Sequence, residues 1–201
     1  MAVAACGTTF HAGATPTPLP SADVTATYAD TTGSFYLGLD QTLLVKLPNA
    51  SVHDPQVLVV TGHFSDATLL KAVAVGRTTV LADVPTTCTN GCNALQPLQI
   101  EVVVVTPADL QRGVTITEQD RQWIIHMRVA EHFVMALTNP PSGPAWANIV
   151  PGNSAVLVPD QPAATTSAGI RGWFHAGQTG RTGLAATAQG SSLSFTIVVF
   201  A

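Results

Sequence analysis

The sequence predicts an all-β chain built as two tandem sandwiches, and three observations predict it. Apolar residues make up 46% of the 201 and fall mostly as short Val-, Leu- and Ala-rich runs broken by Thr, Gly and Pro. That is the texture of strands and turns rather than of helices. From Val24 onward the pattern is written twice. Slid by ninety residues, Val24-Thr25-Ala26-Thr27 lies on Val114-Thr115-Ile116-Thr117, Asp30 on Asp120, Leu43 on Phe133, Val45 on Met135, Leu47 on Leu137 and Asn49 on Asn139. The matched apolar residues alternate, the period of a strand with one buried face. Further on, Gly76-Arg77-Thr78 matches Gly180-Arg181-Thr182, and both units close on apolar strands, Leu98 to Val105 and Leu193 to Phe200.

Residues 1–22 read as a flexible Thr/Pro-rich tether. Ala14-Thr15-Pro16-Thr17-Pro18-Leu19-Pro20 has no apolar period, and its prolines fix an extended backbone. Near its start, Val3-Ala4-Ala5-Cys6-Gly7 resembles the lipobox of bacterial lipoproteins. The resemblance implies lipidation at Cys6, export, and membrane contact through a lipid anchor alone.

Residues 23–106 form the first sandwich and residues 107–201 the second, each immunoglobulin-like in size with six or seven short strands. In the first, Cys88 and Cys92 enclose Thr89-Asn90-Gly91. The spacing suits a local disulfide, which would contribute roughly 2 kcal/mol across so short a loop, with two thiols the alternative. No second Cys or His pair completes a zinc site with them. The first unit resembles bacterial immunoglobulin-like modules in its Ala74-Val75-Gly76-Arg77-Thr78 block and its cysteines. The boundary falls near Thr106-Pro107-Ala108-Asp109, and a linker this short implies that the two units touch.

In the second unit, Glu118 to Leu137 contains good helix formers, but a helix would mix His126, Arg128 and Glu131 with Ile124 and Val134. As strands, Ile125, Met127 and Val129, then Phe133, Met135 and Leu137, fall on one side, with a turn near Ala130-Glu131. Glu118 and Asp120 are read as a solvated strand end sharing one face.

The segment that follows, Asn139-Pro140-Pro141-Ser142-Gly143-Pro144-Ala145-Trp146, can continue neither a strand nor a helix. After such a hairpin it resembles the Asn-Pro-Thr-Thr-Gly-x-x-Trp loop of the chagasin-like inhibitors of papain-type cysteine peptidases, with Asn139, Pro140, Gly143 and Trp146 matching. In that family the loop enters the peptidase cleft between two flanking loops of an immunoglobulin-like sandwich. Gly169-Ile170-Arg171-Gly172 is similar to one flanking loop, a Gly-x-x-Gly turn. The other carries Arg-Pro-Trp, which Ala188-Gln189-Gly190-Ser191-Ser192 replaces here. The resemblance implies a partner-binding set of Asn139, Pro140, Pro141, Ser142, Gly143, Trp146, Gly169 and Gly172. Trp146 and Trp173 are read as packing residues, with partner contact the alternative.

Other chemistry is excluded or unsupported. A formal net charge of −4 with eight scattered Lys and Arg offers no footprint for nucleic acid. No window is apolar enough for a membrane-spanning helix. Neither a His-Glu-x-x-His nor a Gly-x-Ser-x-Gly motif nor a phosphate loop occurs. His126 and His132 lie about 20 Å apart along an extended strand, too far for one metal. The expectation is therefore a non-enzymatic, monomeric, exported binding protein without catalytic residues, metal or cofactor. A protein partner, such as a papain-like peptidase, is one reading; an envelope adhesive or spacer lipoprotein is the alternative.

Overall fold

The computed structural model describes residues 19–87 and 93–201. Cys6, Cys88 and Cys92, and with them the expected lipidation and disulfide, lie outside the described residues. The chain is all-β. Eight strands come first: β1 (Val24–Ala26), β2 (Gly33–Gly38), β3 (Thr42–Val45), β4 (Ser51–Val52), β5 (Leu58–His63), β6 (Thr68–Ala72), β7 (Gly76–Thr87) and β8 (Asn93–Val105). A short helix α1 (Pro107–Arg112) leads to β9 (Val114–Ile116), β10 (Ile124–Arg128), β11 (His132–Thr138), β12 (Asn148–Pro151), β13 (Leu157–Thr165), β14 (Gly169–Ala176), β15 (Gly180–Ala188) and β16 (Ser191–Phe200). The helix starts where the Thr106 hydroxyl accepts from Asp109 N and Pro107 pre-sets the first turn.

Each octet folds the same way. Four strands form one sheet, β1-β3-β6-β5 or β9-β11-β14-β13, and the other four order as β2-β8-β7-β4 or β10-β16-β15-β12. The strands after the first two in each octet take the B-E-D and G-F-C places of an immunoglobulin-like sandwich. Inward-pointing residues of the facing sheets make two cores, one around Phe35, Leu43, Leu58 and Leu70 and one around Phe133, Met135, Leu157 and Phe174. The repeat extends to side-chain hydrogen bonds. Thr78 Oγ accepts from Asp54 N at 2.8 Å, and Thr182 Oγ from Asn153 N at 2.9 Å. A Cβ on Gly76 would come within 2.8 Å of Val57, and one on Gly180 within 3.0 Å of Val156. The Gly-Arg-Thr blocks thus match because each seats the same chain crossing.

The two sandwiches do more than touch. β2 pairs in parallel with β10 (Gly33↔Ile124, Ser34↔Ile125, Phe35↔His126), which merges the inner sheets into one of eight strands, β12-β15-β16-β10-β2-β8-β7-β4. Successive residues on a strand face opposite ways. Phe35 belongs to the first core, so its partner His126 lies on that face, while Ile125, paired with Ser34, faces the second core. The two outer sheets therefore cover opposite faces of the shared one. This is why all six residues of β2 are buried. It also explains the buried run from Ile100 to Val104: Ile100, Val102 and Val104 serve the first core, Val103 and Tyr36 pack in the second, and Glu101 meets Ser34 and Arg77 at the junction. A strand buried on both faces reads as continuously apolar.

Polar groups close this junction reciprocally. In both octets a Thr–Asp capping box ends the first strand. Thr27 N and Oγ donate to Asp30 at 2.7 and 2.9 Å, and Thr117 N and Oγ donate to Asp120 at 2.8 and 3.1 Å. Each aspartate then takes a donor from the other octet. His126 Nε2 lies 3.2 Å from Asp30, and Arg77 Nη1 donates to Asp120 at 2.8 Å and to Glu101 at 3.1 Å. Ser34 Oγ also donates to Glu101, at 2.9 Å. The reading of Glu118 and Asp120 as one strand face is corrected accordingly. Residues Glu118–Gln122 form a 3-10 turn, in which Asp120 is buried and Glu118 reaches out to accept from Thr138 N. The capping box wins over strand pairing because it satisfies the donors that the chain reversal would otherwise strand.

Candidate functional site

Three chain reversals meet at one end of the second sandwich: residues 139–147 after β11, residues 166–168 before β14, and the two-residue hairpin Gln189-Gly190 between β15 and β16. Register brings them together, since Thr138 pairs with Gly169 and Asn148 with Thr187. Asn139 is the fastening point. Its backbone N donates to Ala168 O at 2.9 Å, its Nδ2 to Ser167 O at 3.1 Å, and its Oδ1 accepts from Trp146 N at 3.1 Å. Trp146 Nε1 donates back to Thr138 O at 2.9 Å, and the ring is half-buried against the second core. Trp146 thus anchors the loop, and both its backbone and its indole N–H are already engaged.

Between these fastenings Pro140, Pro141, Ser142, Gly143, Pro144 and Ala145 are all exposed. Three prolines fix φ, and Gly143 takes φ of 132°, a value that disfavours any side chain. The result is a rigid, solvent-facing arc whose hydrogen bonds lie at its base.

The flanking elements differ from expectation. Gly169 and Gly172 do not form a turn; both lie within β14 and are buried. A Cβ on Gly169 would meet Leu137 O at 2.0 Å, and one on Gly172 would meet the Phe174 ring at 2.7 Å. Close packing rather than a turn explains both glycines, although Gly169 still lines part of the depression beside the arc. The turn beside the arc is Thr166-Ser167-Ala168, in which Thr166 Oγ accepts from Ala168 N and Gly169 N. Next to it, Trp173, Arg171, Ala136, Thr138 and Ala164 line a depression of about 510 Å³ on the outer face of the sheet. Trp173, expected to pack inside, stands half-buried on that outer face.

A second constellation escaped the sequence. His132, Asp160 and His175 lie on three adjacent strands, with His132 Nδ1 3.1 Å and His175 Nδ1 2.5 Å from the two Asp160 oxygens. Burial pushes the Asp160 carboxyl up, but the hydrogen bonds from His175 and His132 outweigh it and hold the group below its ordinary value. Spacing along the chain compared only His126 with His132, and the cluster joins other partners. His126 is indeed separate, but His132 pairs across strands with His175, 43 positions away, a neighbour that spacing along the chain does not reveal.

No family model and no curated protein matches the chain. Among solved structures, it is similar to the cysteine protease inhibitor EhICP2 from Entamoeba histolytica, with 12% identity and a TM-score of 0.31, over 42% of this chain and 100% of that one. It is similar to the D00-D0 domain of intimin, with 11% identity and a TM-score of 0.29, over 82% of this chain and 95% of that one. Its likeness to the S-layer protein rSbsC(31-844) has 13% identity and a TM-score of 0.30 and spans 75% of this chain but 19% of that one. Likeness at this level carries no inference about what this chain binds. No helix among the described residues is long and apolar enough to cross a membrane.

Proposed function

We propose that this chain is a non-enzymatic, exported binding protein, and that the arc from Pro140 to Ala145 is its docking element. The observation that carries this reading is the arc itself: six consecutive exposed residues held rigid by Asn139 and Trp146 at its base. Ordering a loop costs about 1–2 kcal/mol per residue, and a loop ordered in advance avoids most of that cost on binding. A stiff, uncharged, proline-rich wedge suits a cleft better than a flat surface. The resemblance of Asn139-Pro140, Gly143 and Trp146 to the chagasin-like loop favours the active-site cleft of a papain-type cysteine peptidase. The tight Gln189-Gly190 hairpin adds no Arg-Pro-Trp contact, so the wedge and the depression beside Trp173 carry the binding on this reading.

The test is inhibition of a papain-type enzyme with a fluorogenic peptide. Micromolar protein is expected to inhibit, and Gly143→Glu or Pro141→Ala to weaken inhibition about tenfold or more, as loss of a central contact does. No inhibition by the parent chain at that concentration sinks the peptidase reading.

The fused sheet favours a second role that is compatible with the first. A continuous eight-stranded sheet makes a stiff body suited to holding the arc away from an envelope surface, tethered through Cys6. On that reading, replacing Cys6 with Ser moves the protein from the membrane fraction to the soluble one; unchanged fractionation counts against it.

A further inference from the structure

We propose that His132, Asp160 and His175 form a binding site for a divalent transition-metal ion of the zinc type, on the outer face of the second sandwich. The argument begins with how the three side chains come together. His132 on β11 and His175 on β14 are direct cross-strand partners, so their side chains leave the same face side by side, with ring centroids 5.5 Å apart. Asp160 comes from the edge strand β13, where Pro159 pairs with Phe174 and Gln161 with Trp173. Asp160 is therefore the extra residue of a β-bulge, and a bulge re-aims a side chain that regular pairing would send elsewhere. Here it turns the carboxylate onto the two imidazoles. One ligand atom from each residue lies within 4.8 Å of the others.

The donor set decides the class of ion. Two imidazole nitrogens and one carboxylate suit zinc and its neighbours, while calcium and magnesium require more oxygen ligands. Bonds of about 2.0–2.1 Å in a tetrahedron place ligand atoms roughly 3.3 Å apart. His132 Nδ1 lies 3.1 Å from one Asp160 oxygen and His175 Nδ1 2.5 Å from the other, and with one ligand atom per residue all three lie within 4.8 Å, so side-chain rotation has to draw the two nitrogens and a single oxygen together to reach that spacing. Three protein ligands leave one position for water, which the half-exposed setting supplies. A bound ion would cross-link β13, β14 and β11 and so pin an edge strand.

The first sandwich provides an internal control. It keeps the same bulge, at Thr61 between Val60 and Gly62, but the places of His132, Asp160 and His175 are held by Thr42, Thr61 and Lys71. Lys71 is engaged with Asp40 at 2.9 Å. The bulge therefore belongs to the repeat, and the ligand set belongs to the second copy alone.

The experiment is a calorimetric titration of the full chain with Zn²⁺ after chelator treatment, with melting temperature and histidine NMR as parallel readouts. One saturable site is expected, with a rise in Tm of about 5–10 °C at a hundredfold excess over Kd. The His132 and His175 ring signals should shift while that of His126 does not. His175→Ala should abolish the site and Asp160→Asn weaken it at least about tenfold, since even groups behind the ligands are worth that much. Replacing both Cys88 and Cys92 by Ser should leave it intact, and Mg²⁺ should not compete. Absence of saturable binding at micromolar Zn²⁺ overturns the proposal. So does binding that survives His175→Ala or is lost with the two cysteines. His132 and His175 lie on the outer face, so the variants test binding rather than folding.

Discussion

The two sandwiches share a strand order, a capping box, a Thr-anchored crossing and even a bulge, yet they present different chemistry to the outside. The first turns its distinctive residues inward to the junction: Tyr36 and Val103 pack in the second core, and Arg77 spans Glu101 and Asp120. The second turns its own outward, as the proline arc at one end and the His132–Asp160–His175 cluster on one face. The two frames are alike in topology; the junction takes residues from both, and the exposed arc and the His132–Asp160–His175 cluster belong to the second alone. Equivalent residues therefore have unequal consequences, and mutating them in pairs exposes the division.

The largest effect is expected at Tyr36. It is 6% exposed and buried in the core of the other octet, so Tyr36→Ala should cost about 3–5 kcal/mol, as truncation of a buried aromatic does. Because Tyr36 belongs to one octet and the cavity opens in the core of the other, equilibrium urea denaturation should still give one transition at a lower midpoint. Two separated transitions would mean that the sandwiches unfold independently and would break the picture of a fused pair.

Arg77 and Arg181 occupy the same repeat position. Arg77 faces two carboxylates, one of them, Asp120, fully buried, whereas Arg181 is exposed. Arg77→Ala should destabilise by about 3 kcal/mol, the low end for breaking a buried pair because the Arg77 side chain is itself 43% exposed. Arg181→Ala should change stability by no more than about 0.5 kcal/mol. Equal effects in chemical denaturation would remove the asymmetry.

The smallest effect is a pH dependence at Asp30. Burial raises its pKa, but the hydrogen bonds from His126 and from Thr27 outweigh burial and hold it below its ordinary 3.8. A carboxylate depressed in the folded state stabilises the fold above its unfolded pKa, and that contribution is lost as pH falls through the folded value. Melting temperature should therefore drop on acidification below about pH 3.8, and Asp30→Asn should flatten part of that slope. An unchanged slope would show that the capping box does not couple to acid unfolding.

What the sequence determined by itself follows from local physics. Alternation marked the strand His132–Thr138 because it buries one face and leaves the other open, whereas Ile124–Arg128 is covered on both faces. Proline and glycine marked the arc, because their φ limits act without neighbours. Sliding the chain by ninety residues aligned Asp30 with Asp120, and the structure shows both in the same capping box. Only the tertiary structure decided the rest. Parallel pairing of β2 with β10 joins residues about ninety apart, and its one trace in the sequence is the unbroken apolar run up to Val105, which marks a strand covered on both faces. Gly169 and Gly172 matched a turn by spacing, but Leu137 O and the Phe174 ring lie where their side chains would be, so packing explains them. His132, Asp160 and His175 share no interval along the chain. Cross-strand register and one bulged residue brought them together, and register is a property of the assembled sheet.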